Sequence, residues 1–216
     1  MKQISKRNEP QELVDWKALE NIDWKPSFDN LQGNEKRAVR NSLLAEQGYI
    51  CCYCNKDISD DNFHIEHFRP QHPFEDLELN YDNLHASCLK NQKAGSPLHC
   101  GMAKGDWFDN LLTLSPLANN ESSFDFLYNG LVEATAPIAE QMVERLNLND
   151  ASLMAKRKAE IAGILDAHFI ETASEEQLIN LFRKIGRLVN DRYQPFVLAI
   201  QQQIKQLLPQ NIVANL

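Results

Sequence analysis

The sequence predicts an α+β fold, mostly helical, in which a small metal-bound module precedes a helical region. Three observations carry this reading. All five cysteines fall between residues 51 and 100, around the run His64-Ile65-Glu66-His67. Asn129-Gly130 separates two short apolar stretches, a strong hairpin signal. After Pro137, apolar residues recur at helical spacing.

Along the chain, residues 1–33 are mixed and polar, broken by Pro10, Pro26 and Gly33, and Trp16 and Trp24 mark a segment that packs against something. A helix is expected from Asn34, with Ala38, Val39, Leu43 and Leu44 on one face and Gly48 as its stop. Phe63 to Phe68 reads as a short strand. Tyr81 to Cys88 and Ala103 to Leu112 read as short helical pieces, separated by the loop signal Ala94-Gly95-Ser96-Pro97. Phe124–Tyr128 and Leu131–Thr135 flank the hairpin turn. Helices are expected over 138–147, 150–170, 174–191 and 194–208. The third carries the stripe Leu178, Leu181, Phe182, Ile185, Leu188, Val189 and a Ser174/Gln177 capping box. Pro195 fits a first-turn position in the last, and His168 reads as a helix-surface side chain.

The 216 residues suffice for one large domain or two small ones, and the charged fraction of 24% is ordinary for a soluble protein. No apolar run approaches a membrane span, and the basic N-terminus has no apolar stretch behind it. A cytoplasmic, reducing location is therefore expected, where clustered thiols read as metal ligands rather than disulfides. The net charge of −8 argues against autonomous tight binding to nucleic acid. One stretch departs from this balance: Asn83 to Gly105 holds Lys90, Lys93 and Lys104 and no acidic residue.

Cys51-x-x-Cys54 is a knuckle whose thiolates can reach one zinc, although redox motifs share the spacing. Cys88 and Cys100 would complete a tetrahedral four-thiolate site, while Cys52 reads as a small core residue. Glu66 and His67 are adjacent on a strand, so their side chains point to opposite faces. The carboxylate suits Mg²⁺ and the imidazole suits general-base work near neutral pH. His64 and His67 lack the His-Glu-x-x-His order of a zincin.

Cys51-Cys52-Tyr53-Cys54, Glu66-His67-Phe68-x-Pro70, Tyr81-x-Asn83-Leu84, Cys88-x-x-Asn91, His99-Cys100-x-x-x-Lys104-Gly105-Asp106 and Leu114-Ser115-Pro116 together resemble the HNH endonuclease family. More narrowly they resemble the PtuB-type HNH proteins of bacterial anti-phage defence, in the Septu and related retron systems. The resemblance covers residues 1–116 and implies a ββα-metal finger with structural zinc, followed by the C-terminal helical region. It implies Glu66 as first ligand of a catalytic Mg²⁺ or Mn²⁺, His67 as general base, and Asn83 as brace of the loop that aims the histidine. It implies Cys51, Cys54, Cys88 and Cys100 as zinc ligands. The family commonly places His or Asn two residues after the last cysteine as second catalytic-metal ligand. Here that residue is Met102, which leaves Asp106, then Asn91 and His99, as candidates. Lys104 or Lys90 would steady the phosphate.

The implied organisation is an N-terminal packing segment (1–48), the HNH module (49–116), and a hairpin with helices (117–216) that offers a docking surface. The implied function is DNA cleavage as effector subunit of a hetero-oligomeric defence complex with a PtuA-type ATPase. The chain has no phosphate-binding Gly-x-x-x-x-Gly-Lys-Ser/Thr loop of its own. RNA, including tRNA, is the alternative substrate, and a zinc-stabilised binding module without catalysis is the alternative class.

Overall fold

The computed structural model describes residues 1–89 and 95–216. Helix α1 (Gln11–Lys17) packs on α2 (Gly33–Glu46), which buries Val39, Leu43 and Leu44. The chain then passes through the Cys51–Cys54 knuckle into β1 (Phe63–His67), which pairs antiparallel with β2 (Leu84–Cys88). The register sets Phe63 opposite Cys88, Glu66 opposite His85 and His67 opposite Leu84. The one-turn helix α3 (Gly101–Lys104) follows. Strands β3 (Phe124–Phe126) and β4 (Val132–Ala134) form the hairpin expected around Asn129-Gly130. Helices α4 (Pro137–Arg145), α5 (Ala151–Ile164), α6 (Ala167–Thr172), α7 (Glu175–Ile185), α8 (Val197–Gln206) and α9 (Gln210–Val213) complete the chain.

Several expectations are corrected. Tyr81–Cys88 is not helical: one 3₁₀ turn over Tyr81–Asn83 leads into strand β2, whose five residues are all buried between α2 and β1. The helix expected to Leu112 stops at Lys104, because Gly105 takes a positive φ of 51°. The 150–170 helix is two, since Asp166 caps a new start on the Phe169 amide. Helix α7 has its Ser174/Gln177 capping box but ends at Ile185, leaving Leu188 and Val189 exposed. Pro195 lies outside α8, whose N-cap is Phe196. Helices α1 and α9 are additions.

Each small sheet is completed by glutamine. Two strands alone leave an edge of unpaired backbone groups. The Gln47 amide donates to the Ala86 carbonyl and accepts from the Ala86 amide (2.9 and 2.7 Å), so a side chain stands where a third strand would pair. Gln202 and Gln203 on α8 do the same for Phe126. Arg157 on α5, fully buried, donates to the carbonyls of Gly130 and Leu148 and ties the hairpin to the helices.

The segments read as separate units in the sequence share one apolar core, from Ile4 and Leu13 through Phe63 to Ile200. Backbone bonds cross between them: Ile4 to Pro116, Cys100 to Leu146, Tyr193 to Gly48 and Phe196 to Asn55. No helix among the described residues is long and apolar enough to cross a membrane.

Candidate metal centre and active site

The knuckle works because a tight turn brings two thiols to one point. Cys51 accepts at its carbonyl from the Asn55 amide (3.1 Å), and Asn55 adopts the left-handed conformation (φ 60°). Cys88 ends β2 and Cys100 precedes α3. The four Sγ atoms of Cys51, Cys54, Cys88 and Cys100 lie within 4.8 Å of one another, all buried. Cys54 and Cys88 are 3.8 Å apart, matching the sulfur–sulfur separation of about 3.8 Å that Zn–S bonds of about 2.3 Å impose in a tetrahedron. Burial opposes ionising Cys51, yet the surrounding thiols, Cys100 first, stabilise its thiolate and hold it well below the ordinary thiol range. Burial pushes Cys100 well up. A buried set of four sulfurs with one favoured thiolate fits a thiophilic dication such as zinc. Cys52 stays outside the cluster as a buried thiol. His99, a candidate for the catalytic metal, instead sits at the thiols, with Nδ1 3.2 Å from the Cys100 sulfur.

Beside this cage, β1 presents its acidic and imidazole groups. Glu66 is buried, and its Oε1 accepts from the Tyr53 hydroxyl (3.1 Å) and the Lys104 ammonium (2.9 Å). Its Oε2 lies 3.2 Å from His64 Nε2. Burial works against the charged carboxylate, but His64 and Lys104 outweigh it and hold Glu66 below its usual range. Lys104 reaches the site as a counter-ion: its side chain is 1% exposed and also donates to the carbonyls of His67 and Gly105. That engagement corrects the expectation of an ammonium open to a phosphate.

The other face of β1 carries His67. Its Nε2 meets the Glu78 carbonyl at 3.0 Å, and the Phe28 ring packs edge-on at 4.4 Å. A carbonyl only accepts, so Nε2 bears the proton and Nδ1 is the basic nitrogen. Burial lowers the His67 pKa, keeping the ring neutral near pH 7. Asn83 holds the loop that supplies Glu78: it accepts from the Arg69 amide (2.8 Å) and donates to the carbonyls of Arg69 (3.0 Å) and Leu77 (3.2 Å).

At the expected second-ligand position, Met102 is 40% exposed. Asp106 is exposed too, and the Gly105 turn takes the chain out of the helix before it. Lys90 and Asn91 lie outside the described residues. Gly101 is the α3 residue over the carboxylate: a Cβ there would lie 2.2 Å from Glu66 Oε2 and 2.7 Å from His64 Nε2. Sequence reasoning passed over His64, Gly101 and Tyr53. The alternation of a strand, which puts residues 64 and 66 on one face, was the signal for the first.

A buried cluster of four thiols that could hold a metal ion lies next to a strand bearing a carboxylate and a histidine. The chain is 26% identical over 196 residues to the "Retron Vc95 putative HNH endonuclease" of Vibrio cholerae, covering 85% of this chain and 93% of that protein. It is 27% identical over 225 residues to the "Retron Ec83 putative HNH endonuclease" of Escherichia coli, covering 84% and 85%. No family model matches. The two likenesses support the HNH endonuclease family.

Proposed function

We propose that this chain is a metal-dependent HNH endonuclease of PtuB type that cuts DNA as effector subunit of a bacterial anti-phage defence complex, alongside a PtuA-type ATPase. One observation carries the reading. Glu66 and a neutral His67 stand on opposite faces of β1, and the ring of the second is fixed by a loop that Asn83 clamps. In the reaction, His67 Nδ1 takes a proton from water, which attacks a backbone phosphate in line as the opposite oxygen leaves. Mg²⁺ or Mn²⁺ held at Glu66 would supply positive charge for the phosphate in the transition state. Asn83 positions the base through the 69–78 loop. The four cysteines hold the strand, knuckle and α3 in register around zinc. The net charge of −8 accords with an effector that borrows its nucleic-acid contacts from a partner.

One observation favours a second reading, a zinc-stabilised binding module without catalysis: the Lys104 ammonium already neutralises Glu66 at 2.9 Å. Plasmid cleavage in Mg²⁺ or Mn²⁺, with and without the ATPase, separates the two. His67→Ala is expected to lower cleavage by about 100- to 10,000-fold while zinc content is kept. Equal cutting by the variant would reject His67 as base. Cleavage of cellular RNA with none of DNA would change the substrate. No cutting of either by the wild type would favour the binding module.

A further inference from the structure

Glu66 alone is a weak hold on a divalent cation, and the residue that shares it is on the same strand. We infer that His64 is the second protein ligand of the catalytic metal, paired with Glu66 as a His-x-Glu chelate on one face of β1, with Gly101 leaving the space for it. This rests on the nuclease reading above and departs from a ligand carried on α3.

Residues 64 and 66 point to one face because strand side chains alternate with period two. His64 Nε2 and Glu66 Oε2 are 3.2 Å apart. Two ligand atoms bound at about 2.1 Å and at right angles lie about 3 Å apart, so the pair needs little movement to chelate. The carboxylate divides its work between its oxygens. Oε1 is taken by Tyr53 and Lys104, whereas the hydrogen-bond partner of Oε2 among the described residues is the imidazole, and the bare Cα of Gly101 lies beside it. A side chain at 101 would collide with both ligand atoms, so in this chain α3 contributes room rather than a donor. The His64 side chain is 22% exposed, so the pair lies near the surface. Imidazole beside carboxylate favours Mn²⁺, Co²⁺ or Ni²⁺ over Mg²⁺, which takes oxygen ligands.

The test is Mn²⁺ binding to the zinc-loaded full chain, followed by electron paramagnetic resonance. The wild type should bind Mn²⁺ more tightly than Mg²⁺ and show nitrogen hyperfine coupling from a bound imidazole. His64→Ala should abolish that coupling and weaken Mn²⁺ by more than roughly 100-fold, beyond the usual cost of losing a mere hydrogen-bonded support to a ligand. His67→Ala should keep the coupling, and Asp106→Asn should bind like the wild type. Circular dichroism and zinc content confirm that each variant is folded. If Glu66→Gln loses Mn²⁺ while His64→Ala keeps it, or if Asp106→Asn loses it, His64 is not the ligand and the nuclease reading stands. If the wild type takes up no second metal, the nuclease reading itself fails and this assignment with it.

Discussion

Replacing Gly101 with alanine adds one methyl group at the narrowest point of the site. Its carbon would lie 2.2 Å from Glu66 Oε2 and 2.8 Å from Glu66 Cδ, against an ordinary contact of about 3.5 Å. The carboxylate must therefore retreat by roughly 1 Å, and its other oxygen is pinned by Tyr53 and Lys104. Overpacking of this kind costs about 1–3 kcal/mol. Losing the charged hydrogen bond to His64 adds about 1.5–3 kcal/mol. Alanine's better helix propensity returns at most about 1 kcal/mol, so the clash wins. The net loss of roughly 1.5–6 kcal/mol corresponds, at roughly 2–4 °C per kcal/mol for a chain of this size, to a melting point lower by about 3 °C and up to about 24 °C. Differential scanning calorimetry of zinc-loaded protein reads this directly. Met102→Ala, one residue on and exposed, should change stability by no more than about 0.5 kcal/mol. A Gly101→Ala protein as stable as the wild type would refute the argument that α3 is bare here to make room.

Other predictions follow from the packing. Cys51→Ser should lose zinc and the fold together, because metal and folding are coupled; a soluble variant with a full zinc complement would remove Cys51 from the ligand set. Arg157→Met should cost roughly 2–4 kcal/mol in urea unfolding, since two buried carbonyls lose their donor. His85 is fully buried, neither ring nitrogen has a hydrogen-bond partner among the described residues, and burial holds its pKa well below the usual value. The unfolded chain then binds a proton that the folded chain refuses. Stability is therefore complete above about pH 6.5 and falls as pH drops below it toward the folded value. His85→Phe should flatten that slope, as measured by urea midpoints between about pH 5 and pH 7.5.

The chemistry was more legible in the sequence than the architecture. Cysteine spacing pointed to the four-thiol cluster, because a knuckle is a local turn that brings two thiols to one point. Asn-Gly gave the hairpin and Ser174/Gln177 gave the α7 start, both local bonds written in adjacent residues. Strand β2 was misread because it is buried on both faces, so Leu84 to Cys88 shows no polar alternation. The ends of α5 and the helix after Cys100 were overrun, since Asp166 acts through capping and Gly105 through backbone conformation, which periodicity ignores. The contact of His64 with Glu66 was legible in the strand alternation, whereas the place of Gly101 over both was not, because an absent side chain leaves no pattern along the chain.

The Cys100 amide reaches across to the Leu146 carbonyl, and the Phe196 amide to that of Asn55. The protein is therefore not modular in the way its motifs suggest. A fragment trimmed to the cysteine window would keep the four thiols yet lose the backbone anchor at Cys100 and the Phe196 amide that bonds the knuckle's Asn55. Conversely, a change at the helical end can reach the chemistry through the backbone alone, with no messenger residue in between.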